Sequence, residues 1–111
     1  MAEKIKLVQG DTSPQIRLTL TDESSGDPID LTGATVTLHF RALGSTTVLF
    51  SREALVNPET ADTGVCVIEW QAGDLNVDFG DYEGEVEIVL ADGRRETLFD
   101  LLKFKIREDF A

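Results

Sequence analysis

Apolar and polar residues alternate along most of this chain, and the alternation is interrupted at short intervals by Gly, Pro, Asp and Ser. The stretch from Gly10 to Phe40 (GDTSPQIRLTLTDESSGDPIDLTGATVTLHF) sets the pattern. Ile16, Leu18 and Leu20 fall on one face of an extended segment, and Arg17, Thr19 and Thr21 on the other. That period of two predicts a half-buried strand, with Pro14 at its start, where a missing N–H is tolerated. Asp22 to Pro28 combines side chains that bond local backbone, a Gly for positive φ and a Pro that stops pairing, which predicts a turn. A second strand follows over Ala34 to Arg41. Val36, Leu38 and Phe40 point inward, and Thr35, Thr37, His39 and Arg41 outward.

The remainder repeats this grammar. Lys4 to Val8 predicts a short edge strand. Thr46 to Val56 is apolar but changes phase, because Val48 and Phe50 share one parity while Leu49 and Leu55 share the other. A bulge, or an edge strand that changes sheets, would account for it. Asn57 to Gly64 reads as a loop, and Thr63 to Trp70 as a strand with Cys66, Ile68 and Trp70 on one face. Gln71 to Gly80 reads as a loop with room for one helical turn capped by Asp74. Asp81 to Leu90 places Tyr82, Val86, Ile88 and Leu90 inward, and Asp81, Glu83, Glu85 and Glu87 outward.

Asp92-Gly93 marks a hairpin into the last strand. A three-residue loop pairs Ile88 with Leu98 and Tyr82 with Phe104. It sets Lys103 opposite Glu83 and Lys105 opposite Asp81, and turns Asp100 inward, so a bulge is expected near Phe99-Asp100. About seven short strands with turn signals between them predict an all-β, antiparallel, immunoglobulin-like sandwich in architecture. Leu31 is expected to plug one end of it, with Asp30 and Thr32 bonding local backbone.

Length sharpens this picture: 111 residues form one domain, 1–111, too short to divide into two cores. Charge narrows the partners. With 21 acidic and 10 basic residues the net charge is -11, a field that repels nucleic acid and anionic lipid. One cysteine allows neither an internal disulfide nor a multi-cysteine zinc site. The opening MAEKIKLVQGD lacks the apolar core of a signal peptide, and no apolar run reaches membrane-spanning length, so a cytoplasmic origin is expected.

Candidate chemistry is sparse. His39, the single histidine, has no second ligand or nucleophile placed beside it by the pattern, and reads as a solvated surface residue. Cys66 shares a face with Ile68 and Trp70 and reads as a buried thiol; the opposite parity of His39 argues against a dyad between them. Asp22, Glu23, Asp27 and Asp30 lack the spacing of an EF-hand loop and read as turn and capping residues. Lys103 and Lys105 are expected to neutralise the stripe Asp81, Glu83, Glu85 and Glu87 across the strands. No catalytic, cofactor or metal residue is assigned, no small-molecule substrate is implied, and the chain does not read as an enzyme.

Three groups of residues carry a family likeness: Gly10-Asp11-Thr12 before the first core strand, Asp30-Leu31-Thr32-Gly33-Ala34 before the second, and Gly80-Asp81-Tyr82 opening the hairpin that Asp92-Gly93 ends. Together they resemble the small immunoglobulin-like domain at the N-terminus of tailed-phage baseplate upper proteins and minor tail proteins, over about Val8 to Arg107. The resemblance implies a non-enzymatic virion structural protein, a tail or baseplate adaptor assembled in the host cytoplasm. It would bind other virion proteins and further copies of itself. A capsid decoration (cement) protein and a bacterial or prophage immunoglobulin-like binding module are the alternatives. Contacts through the edge segments Lys4 to Val8 or Thr46 to Leu55 are expected.

Overall fold

The computed structural model describes residues 4–22, 24–98 and 101–110. Eight strands follow one another: β1 (Ile5–Val8), β2 (Gln15–Thr19), β3 (Thr35–Ala42), β4 (Phe50–Glu53), β5 (Val65–Glu69), β6 (Gly80–Val89), β7 (Arg95–Thr97) and β8 (Leu102–Arg107). The larger sheet runs β1-β8-β6-β3-β4, with β7 also on β6, and the smaller is the pair β2-β5. The chain is thus mainly β, as the alternation predicts, and its two sheets pack as a sandwich.

The core lies between them. Val36, Leu38, Phe40, Val86, Ile88 and Phe104 of the large sheet meet Ile16, Cys66, Ile68 and Trp70 of the small one. Trp70 joins the layers through edge-on contacts to Phe40 and Phe104, with ring centroids 5.8 and 6.0 Å away, the spacing aromatic quadrupoles favour. Leu31 is fully buried, and Asp30 Oδ1 accepts from the Thr32 N–H and hydroxyl, as expected of that turn. Two glycines are dictated by packing. A Cβ at Gly64, whose φ is +77°, would strike the Leu20 carbonyl oxygen, and one at Gly84 would sit 2.6 Å from Leu38 Cδ1.

Several expectations are corrected. The sheet is not wholly antiparallel, because β1 lies parallel to β8, with Ile5 beside Phe104 and Leu7 beside Ile106. Gln71 to Gly80 forms turns and no helix; instead a single 3₁₀ turn, Ala61–Thr63, sits in the loop before β5. The phase change after Thr46 is an edge strand that leaves its sheet. Phe50–Glu53 pairs with β3, Ala54 N–H still donates to Val36, and Leu55 then exchanges both backbone bonds with Val67 of β5. Residue 55 therefore belongs to the other layer.

At the hairpin, Ile88 pairs with Glu96 and not with Leu98. The tighter turn is closed by Leu90 N–H on the Arg94 carbonyl and by Asp92 Oδ1 on the Arg94 N–H. Further along, Tyr82 does face Phe104, Glu83 faces Lys103 and Asp81 faces Lys105. The pairing sums on the two sides of the segment between Thr97 and Leu102 differ by two residues. The bulge expected at Phe99-Asp100 lies outside the described residues.

Candidate functional site

Cys66 is buried in β5, and burial pushes its thiol up to about 11. A thiol held neutral among apolar neighbours is a packing element and a poor nucleophile. Asp22 accepts from the Ser24 hydroxyl and from the Ser24 and Ser25 N–H groups. These bonds hold its carboxyl below the usual value, as the Thr32 hydroxyl and N–H do for Asp30. Both are turn-capping residues; Glu23 lies outside the described residues. Among the described residues no group of three His, Cys, Asp or Glu side chains is placed to hold a metal.

His39 is less isolated than parity suggested. On the outer face Ser51 of β4 stands directly opposite His39 of β3, and Glu87 of β6, which pairs with Thr37, reaches His39 from the diagonal position. The Ser51 hydroxyl is 2.6 Å from His39 Nδ1, and Glu87 Oε1 is 3.5 Å from Nε2. Sequence reasoning missed this group because the three residues meet only through strand register. A hydroxyl, an imidazole and a carboxylate in contact can share a proton. Acyl transfer also needs converging N–H donors for the oxyanion, and on this face the backbone donors lie in the plane of the sheet.

The acidic stripe of β6 is neutralised unevenly. Glu83 is buried, which corrects its expected exposure. Burial raises its carboxyl, but hydrogen bonds and charge from Arg41 (2.7 Å) and Lys103 (3.4 Å) outweigh this and leave it below its usual value. Asp81 takes Lys4 at 3.1 Å. Lys105 stands opposite Asp81 but makes no ion pair among the described residues, so the expected second neutralising pair is corrected. Among the described residues, six of the ten basic side chains are ion-paired. Lys6, Lys105 and Arg107 are three of the other four, and with Leu7 and Val8 they line a hollow of about 360 Å³ over β1 and β8.

The opposite edge of the sheet is β4. Since Ala54 N–H donates to β3, strand alternation points the N–H and C=O groups of Ser51 and Glu53 away from β3, where no strand pairs with them among the described residues. Leu49 and Leu55 lie just beyond the two ends of this strand, 48% and 56% exposed. From beneath, Arg52 crosses to the β5–β6 loop, where its guanidinium grips Asp74 at 2.9 and 2.5 Å. Asp74 also accepts the Gln71 N–H. The β4 edge is thereby held in place.

Comparison with known proteins bears on the fold. No family model and no curated protein matches the chain. Among solved structures it is similar to CopC from Methylosinus trichosporium OB3b, with a TM-score of 0.53 and 8% identity over 96% of this chain and 86% of that one. At that identity the likeness is one of β-sandwich architecture. The role expected from the phage resemblance is corrected here: the solved structure to which the fold is similar is CopC, and no matching family model or curated protein supports a virion component.

Proposed function

We propose that this chain is a non-catalytic, immunoglobulin-like sandwich that associates with another polypeptide by strand pairing at the β4 edge, and that a second copy of the chain is the partner. The observation that carries this is the free edge of Ser51 and Glu53 between the exposed Leu49 and Leu55. An antiparallel copy with its two-fold axis at Arg52 sets Ser51 against Glu53 of the partner subunit, and the reverse. Their outward backbone groups then satisfy one another. The same register brings Leu49 of each copy to Leu55 of the other, covering two apolar positions at either end. Bonds at the edge supply affinity and the leucines supply register, as in strand addition generally.

The test is light scattering on the purified chain over a wide concentration range, beside Ser51→Pro. Proline there removes an outward N–H that β3 does not use, so folding is retained by circular dichroism. A concentration-dependent dimer that Ser51→Pro abolishes is the expected result. A monomer at every concentration, or an equally tight dimer in the variant, overturns the reading.

A further inference from the structure

We infer that the cationic hollow over β1 and β8 is a second docking site, and that it receives an extended acidic segment of a partner protein. Its location is the far side of the large sheet from β4, so the two sites are independent. The parallel register sets Lys6 directly beside Lys105 and Val8 beside Arg107. Adjacent strands are about 4.8 Å apart, and like charges at that spacing repel. In a chain with twice as many acidic as basic residues, folding has nonetheless gathered three cations that are not ion-paired among the described residues. An anionic occupant relieves that repulsion.

The apolar part of the site narrows the occupant. Arg107 lies over the ring of Phe110 at 5.1 Å, and that ring is 88% exposed. Val8 is half-buried at the floor of the same row. Carboxylates spaced along an extended chain can meet Lys6, Lys105 and Arg107 while intervening apolar side chains cover Val8 and Phe110. A long polyanion meets the same three cations but also the repulsion of a net -11 surface. A short segment, with few charges, meets less of it. This favours an acidic polypeptide over nucleic acid.

The experiment uses the full chain and a fluorescent peptide of alternating Glu and Val, followed by anisotropy, with inorganic phosphate and a duplex oligonucleotide as competitors. Wild type binds the peptide, and the affinity falls as salt rises. Lys6→Ser with Lys105→Ser weakens it by about fivefold or more, without loss of thermal stability, because the mutual repulsion is removed with the side chains. Ser51→Pro leaves this binding unchanged, so failure of the β4 dimer and failure of this site are read separately. Absence of peptide binding, equal binding by the double variant, or displacement of the peptide by phosphate or duplex at lower concentrations overturns the proposal.

Discussion

Single residues in this molecule were legible where their surroundings are set by strand parity. Cys66 alternates with Ile68 and Trp70, and it is buried with them. Its thiol, pushed up to about 11 by burial, should stay unmodified by a disulfide-exchange reagent at pH 8 and react at once when the chain is unfolded in guanidinium. Rapid labelling of the folded protein would contradict the packing. Parity says nothing of what lies across a sheet, so the Ser51–His39–Glu87 group was invisible in the sequence. The indole N–H of Trp70 is a similar case: it is buried without an acceptor among the described residues. Such an orphan costs about 1–3 kcal/mol, a burden accepted here for the aromatic contacts that join the two sheets.

Among the elements, strands were more legible than their neighbours. The break in phase around Leu49 and Leu55 was readable as an anomaly, and its cause is the transfer of the chain from β3 in one layer to Val67 of β5 in the other. What holds the departing strand is the pair formed by Arg52 and Asp74, side chains that sequence patterns assigned to different elements. Asp74→Ala strands a guanidinium that is mostly covered. Fully buried pairs lose about 3–5 kcal/mol when one partner is removed, and the residual exposure of Arg52 reduces the expectation to roughly 2 kcal/mol. Urea unfolding of Asp74→Ala measures this. A replacement of both residues by Leu and Met should recover part of the loss, whereas an unchanged midpoint in Asp74→Ala would show the pair to be idle.

For the whole molecule, acid is the revealing stress. Glu83, Asp22, Asp30 and Asp92 all hold carboxyls below their ordinary values, 4.5 for Glu and 3.8 for Asp. For Glu83 the burial that raises it is outweighed by Arg41 and Lys103; for Asp22 and Asp30 hydroxyl and N–H donors act, and for Asp92 the Arg94 backbone and side chain. A depressed carboxyl contributes stability that is complete above its unfolded value and is lost as pH falls through the folded one. Thermal stability should therefore be level down to about pH 5 and decline below the 3.8–4.5 interval. Glu83→Gln, lacking one of these carboxyls, should lose less between neutral and acid pH than wild type. Calorimetry that finds the same acid loss in both would remove Glu83 from the account.

By itself the sequence determined the alternating strands, the inward rows at Val36, Leu38 and Phe40 and at Tyr82, Val86 and Ile88, the turns at Asp22, Asp30 and Asp92, and the register of Tyr82 with Phe104. Each of these follows from period-two patterning or from side chains bonding backbone a few residues away, and both are local. The tertiary structure alone decided the parallel seat of β1, the exchange of sheets at Leu55, the Arg52–Asp74 pair and the gathering of Lys6, Lys105 and Arg107. Those depend on which distant strands become neighbours. Burial of the core selects that arrangement, and side chains on the outer face then meet whatever partner the register brings.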